Sequence, residues 1–222
     1  MRTTLRSLLL ASLLAATSVH VALSNEITAR IVDDKGQPVE DAVVIAVPEV
    51  EGGRRPSGRP RDGVVDQVDK EFMPKVTAIL VGTSVTFPNH DNVRHQVYSF
   101  SPGKRFELPL YAGVPAQPVV FDKPGVIVLG CNIHDWMVGY VYVSESPYFA
   151  KSGKDGIATL SDLPPRTYLV RVWHAQSEVA EDATRKTVDA SRTQRSDVDW
   201  TLKLRPETRV RRSPTVGGHG RY

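Results

Sequence analysis

The sequence predicts an all-β protein. Three observations carry that expectation. Short runs in which apolar and polar residues alternate recur along the chain, Gly, Pro and Asp clusters separate them, and nothing beyond the first residues sustains a helical period.

The elements follow in order. Arg2 and Arg6 precede an apolar run from Leu8 to Ala16. That run is far shorter than the ~20 residues of a membrane span. Ala22-Leu23-Ser24 then supplies small residues suited to cleavage, so residues 1–24 read as a secretory signal peptide, cut near Ser24. An exported, periplasmic protein with no lipid anchor and no membrane span is expected. Next, Ile27, Ala29 and Ile31 alternate with polar residues up to a turn at Asp33-Asp34-Lys35-Gly36. Val43 to Val47 is a second strand. Glu51 to Gly63, rich in Gly, Pro and Arg, reads as a linker. Val85 and Phe87 alternate on a strand, a polar turn follows, and His95 opens the next strand. Val126 to Gly130 ends at Cys131, and Met137 shares the parity of Gly139, Val141 and Val143, which points it inward. Ser144 to Gly156 reads as a connector. Tyr168 to Trp173 is a strand after the turn at Leu163-Pro164-Pro165, and Ser177 to Thr184 a short helical piece. Val198, Trp200, Leu202 and Leu204 mark a half-buried strand. Residues 205–222 read as a disordered basic tail.

The formal net charge is +3, but the leader supplies two positive charges and the tail a net four, leaving the part between near −3. The basic balance therefore sits at the ends and does not argue for nucleic-acid binding.

The chain has one cysteine, Cys131. Exported proteins usually use cysteines in disulfide pairs. A lone thiol in an oxidising compartment points to burial, ligation or nucleophilic chemistry. Cys131-Asn132-Ile133-His134-Asp135-Trp136-Met137 places a thiol, an imidazole and a thioether on one short loop, and His95 adds a second imidazole from a distant strand. Thiolate and thioether suit Cu(I), and imidazole suits either oxidation state. Two histidines, a cysteine and a weak axial methionine form the blue-copper donor set. His90 is read as a turn residue, with a fifth ligand or a metal-entry residue as the alternative. His174 is read as structural. Tyr140 and Tyr142 alternate outward and, with Trp136, fit either an electron-exit surface or, equally well, ordinary β-sheet packing.

These motifs resemble the cupredoxins, the family of plastocyanin, pseudoazurin and amicyanin. The spacing Cys131-x-x-His134-x-x-Met137 is similar to the short ligand loop of amicyanin. Gly82-x-x-Val85-x-Phe87-x-Asn89 and His95-x-Val97 also match. Gln96 stands where the family commonly has an asparagine that braces the ligand loops. The whole chain further resembles plastocyanin-like proteins labelled methylamine-utilisation proteins. The resemblance implies one type 1 copper ion held by His95, Cys131, His134 and Met137, single-electron transfer between transient redox protein partners, and no substrate chemistry.

A second resemblance concerns the flanks. Ala29 to Val39, Asp41 to Val44, Asp155-Gly156 and Leu163 to Tyr168 are similar to the start and end of a carboxypeptidase-regulatory-like β-sandwich, with Arg166 where that family commonly has glycine. It implies a Greek-key cupredoxin sandwich at 65–148 inserted between the halves, 25–50 and 150–204, of a second small sandwich. A single larger sandwich is the alternative. Other functional readings are a periplasmic copper carrier or storage protein using the same ligands, an enzyme with a Cys131–His134 nucleophilic pair, and a binding module built on the outer sandwich.

Overall fold

The structure, a computed structural model, describes residues 25–49, 58, 60–115 and 117–206. The leader, most of the linker and the tail beyond Pro206 lie outside the described residues. The strands are β1 (Asn25–Asp33), β2 (Val43–Pro48), β3 (Gly63–Val64), β4 (Asp66–Val68), β5 (Glu71–Met73) and β6 (Val76–Leu80). They continue as β7 (Thr83–Thr86), β8 (His95–Ser99), β9 (Phe106–Tyr111), β10 (Val119–Phe121), β11 (Gly125–Gly130) and β12 (Val138–Ser144). The last are β13 (Phe149–Lys151), β14 (Ile157–Leu163), β15 (Thr167–Trp173), β16 (Lys186–Asp189) and β17 (Arg195–Leu202). The protein is all-β. The helical piece expected at 177–184 is a single 3-10 turn, Glu181–Thr184.

Strands from the two ends of the described chain pair with each other. β1 lies between β14 and β17, parallel to β17 with Ala29 opposite Val198 and Ile31 opposite Trp200. The facing sheet runs β13-β2-β15-β16. Ile27, Ala29, Ile31, Val44, Ala46, Tyr168, Val170, Trp200 and Leu202 fill the space between these sheets.

The strands between them make a second sandwich. One sheet runs β10-β7-β3 and the other β6-β12-β11-β8-β9. After the β8–β9 hairpin the chain crosses to pair β10 with β7, then returns as β11 beside β8, a Greek-key path. Val85, Phe87, Val97, Phe121, Ile127, Leu129 and Val141 form its core. A short hairpin, β4–β5, adds Phe72 to that core, packed where a side chain at Gly139 would stand.

The two sandwiches share a third apolar layer. Val43 and Ile45 of β2 meet Val76 of β6 and Tyr142 of β12, with Tyr140 and Trp173 packed against them. So β2 is buried on both faces: Val44 and Ala46 face one core, Val43 and Ile45 the other. That is why its sequence is a continuous apolar run rather than an alternation. The same contact decides between the two readings of Tyr140 and Tyr142 in favour of packing. They lie against Trp173 between the sandwiches, not on an exit surface. Polar ties reinforce the layer. Arg171 of β15 reaches Glu145, just past β12, at 2.8 Å, and Glu181 at 2.5 Å, while the Tyr142 hydroxyl donates to Glu181 at 2.6 Å.

The connector at 144–156 is more ordered than its composition suggests. Its residues Phe149–Lys151 add β13 to the edge of β2, and the Ser146 hydroxyl donates to the Ala46 carbonyl. Gly63, expected in the linker, opens β3. Arg205, expected in the tail, donates its amide to the Gln176 carbonyl.

Candidate metal centre

β11 carries the chain to Cys131, and β12 carries it away from Met137. The loop between them is closed by the Met137 amide, which donates to the His134 carbonyl at 2.9 Å. Gly130 is needed before the cysteine because the Tyr98 ring of β8 comes within 2.7 Å of where a Cβ would stand. From the facing sheet, the turn after β7 leads to His95 at the start of β8, the strand beside β11.

These elements bring His95, Cys131 and His134 together. One donor atom from each lies within 4.8 Å of the others. His95 is 0% exposed, Cys131 3% and Met137 1%. His95 Nδ1 faces Cys131 Sγ at 3.8 Å. The His95 and His134 rings stand 5.0 Å apart, and the Trp136 ring packs against His134, also at 5.0 Å. Met137 lies in the same buried cluster as Cys131.

Two features fit these residues to a metal ion. First, His134 Nδ1 is buried and has no hydrogen-bond partner. A buried ring nitrogen without a partner is costly unless something else satisfies it. Second, the spacing suits a shared ion. First-row metals such as zinc bind nitrogen at about 2.0 Å and sulfur at about 2.3 Å, so N and S on one ion at 120° stand about 3.7 Å apart. The His95–Cys131 separation meets that. Burial, and then His95 and Lys70, push His134 below the ordinary histidine value, against a smaller pull from Asp91. The neutral imidazole this favours is the form that ligates.

The surroundings of His95 hold a feature that sequence reasoning missed. Its Nε2 meets Asp91 Oδ2 at 2.7 Å. Asp91 also accepts from the Asp69 amide at 2.7 Å and the Lys70 amide at 2.9 Å. Burial pushes the Asp91 carboxyl up, but bonds from Lys70, His95 and Asp69 together hold it below the usual carboxylate value. The one available signal was an acidic residue four positions before His95, which the polar-turn reading absorbed. Asn89 ties the same turn, donating to the carbonyls of Val93 and Tyr111 and accepting from the Asp91 amide.

The remaining candidates lie elsewhere. His90 is exposed and pairs with Asp66 through Nδ1 at 2.7 Å. It does not join the three-residue group. Gln96 points to Glu107 on the surface, so it does not brace the ligand loop. His174 follows β15, far along the chain from this centre, and its Nδ1 accepts from the Gln176 amide.

No family model matches the chain, and no curated protein matches it. Solved structures do. A Cu-containing nitrite reductase from Thermus scotoductus SA-01 is 30% identical over 44% of this chain and 25% of its own, with a TM-score of 0.36. The chain thus spans about a quarter of that enzyme's length. A purple cupredoxin from Nitrosopumilus maritimus is 30% identical over 37% of this chain and 100% of its own, TM-score 0.33. A reduced Cu(I) form of an amicyanin mutant is 21% identical over 46% of this chain and 98% of its own, TM-score 0.34.

Proposed function

We propose that this protein is an exported one-electron carrier holding a single type 1 copper ion at His95, Cys131, His134 and Met137. The observation that carries the reading is the convergence of His95 Nδ1, Cys131 Sγ and a His134 nitrogen, with His95 and Cys131 buried and His134 partly so. Likeness to solved copper proteins agrees with it. Copper bound there would accept one electron and give it back. The chain's own residues do the rest. The thiolate and thioether suit the cuprous state and the imidazoles suit both. The closed cores behind Cys131 and Met137 keep water from the pocket, and rigid strands on both sides keep the donors in one arrangement.

The strand pairings support a reading as two domains, the inner at 65–148 and the outer at 25–50 and 150–204. Residues 1–24 are taken as the leader that sends the chain to the periplasm. No helix among the described residues is long and apolar enough to cross a membrane. Transient redox partners would meet the loop around His134, where Ile133 is 50% and Val138 39% exposed beside the half-buried Trp136. A nucleophilic role for Cys131 is disfavoured by its burial.

Adding Cu(II) to the mature protein and recording visible and paramagnetic spectra tests this. An intense colour that reduces reversibly is expected. Cys131→Ser should abolish it, and Met137→Leu should keep the colour while shifting the potential. Copper uptake without colour, or with irreversible reduction, would favour a carrier or storage role instead. A folded chain that takes up no copper defeats both.

A further inference from the structure

We propose that Asp91 is a positioning residue that aims His95 at the metal and biases the site toward the oxidised ion, and that the β4–β5 hairpin holds Asp91 in place for this. The inference rests on the copper reading above and adds to it an outer layer of the site.

The first step is the tautomer. An ionised carboxylate only accepts hydrogen bonds. The 2.7 Å contact between Asp91 Oδ2 and His95 Nε2 therefore requires the ring proton to sit on Nε2. In the neutral ring that leaves the lone pair on Nδ1, which is the nitrogen facing Cys131 Sγ at 3.8 Å. With His95 fully buried, no water competes for either nitrogen. Asp91 thus fixes both which nitrogen is free and where it points. A carboxylate behind a ligating histidine is a recurrent way to orient the ring and raise its basicity.

The second step is what fixes Asp91. Its side chain is only 11% exposed, and both oxygens are used. Oδ1 accepts from the Asp69 amide and Oδ2 from the Lys70 amide as well as from His95. Asp69 and Lys70 are the two residues between β4 and β5, with φ of 55° and 61°. Two successive positive φ values make the tight hairpin turn that glycine usually supplies. Here Asp and Lys adopt it, and the turn aims two neighbouring amides at one carboxylate. The hairpin is anchored by Phe72, buried against Gly139 at the start of the strand that leaves Met137. One short element so touches both sides of the metal pocket.

The third step is charge. Cu(II) carries one more positive charge than Cu(I). A carboxylate one imidazole away attracts the oxidised ion more strongly. Loss of outer partners of this kind costs about 10–100-fold in metal affinity. If about tenfold of that falls on Cu(II) alone, the potential rises by about 59 mV, the value of one decade for one electron.

Asp91→Asn keeps the size and an acceptor but removes the charge. Asp122→Asn is the control, since it removes the same charge from an exposed pair with Lys104 that belongs neither to the donor set nor to the β4–β5 hairpin. Voltammetry of the copper-loaded proteins should show a rise on the scale of one decade in Asp91→Asn and little change in Asp122→Asn. Nitrogen NMR of metal-free protein should show the neutral His95 ring carrying its proton on Nε2 in wild type and a mixture of tautomers in Asp91→Ala. Equal shifts in both Asn variants, or no shift in Asp91→Asn, overturn the proposal while leaving the copper reading intact. An Nε2-protonated ring that persists in Asp91→Ala overturns the positioning role. Failure of the wild type to bind copper overturns the copper reading and this one with it.

Discussion

Replacing Arg171 by Met, at the layer between the sandwiches, should destabilise the whole fold. Arg171 is 15% exposed, and the carboxylates of Glu145 and Glu181 that share it are each 21% exposed. Burial works against the guanidinium charge, but the bonds to Glu145 and Glu181 outweigh it and hold the group above the usual arginine value. Breaking a buried ion pair from one side costs about 3–5 kcal/mol, because the remaining charge keeps its desolvation penalty. The one-fifth exposure of the glutamates admits some water, so about 2–4 kcal/mol is expected. In a fold of this size each kcal/mol moves the melting temperature by about 2–4 °C, giving a fall of about 4–16 °C. Scanning calorimetry reads it directly. The reasoning makes a second demand. If the loss comes from two carboxylates losing the cation they share, changing Glu145 and Glu181 to Gln in the same chain should recover most of it. Should the triple variant melt no higher than Arg171→Met alone, the cost lies in packing and the charge argument is refuted.

Ile45→Ala, at the layer between the sandwiches, should cost about 2–5 kcal/mol in urea unfolding although it lies outside both sandwich cores. Gly130→Ala should cost about 1–3 kcal/mol because the Tyr98 ring must move, and a smaller residue at 98 should relieve it in a double-mutant cycle. Metal-free protein should lose stability as pH falls below about 6.5, the ordinary histidine value. Burial pushes His174 below that value, with a smaller push from Lys75 and opposing pulls from Asp41 and Glu40. The unfolded chain therefore binds the proton first, so the stability is present above that pH and is lost below it. His174→Gln should flatten the fall in melting temperature between pH 7.5 and 5.5; an unchanged slope would place the effect elsewhere.

The alternations at β1, β15 and β17 were legible because each strand buries one face, and the period of two is then written in the residues. The Cys131–Met137 loop was legible because its thiol, imidazole and thioether are close in sequence. The short strands were not. β3, β4, β5 and β13 have two or three residues each, too few to show a period, and they exist only because a partner strand is already in place. The outward parity of Tyr140 and Tyr142 was correct, yet outward from one core proved to be inward to a second. Pattern reports which face a residue takes, not what lies beyond it.

Asp91 shows the same limit at the level of chemistry. An Asp in a polar turn is expected on turn propensity alone, since its side chain commonly bonds nearby backbone. Here it accepts amides from a hairpin twenty residues upstream and a ring from the following strand. Nothing local distinguishes the two cases. What separates them is the competition for the carboxylate. A turn Asp that merely caps its own backbone would leave His95 Nε2 buried with no acceptor, and a buried donor without one costs about 1–3 kcal/mol. The fold avoids that cost by bringing β4–β5 alongside. The hairpin is thus explained by the Asp91 carboxylate it holds, as much as by the apolar area that Phe72 buries.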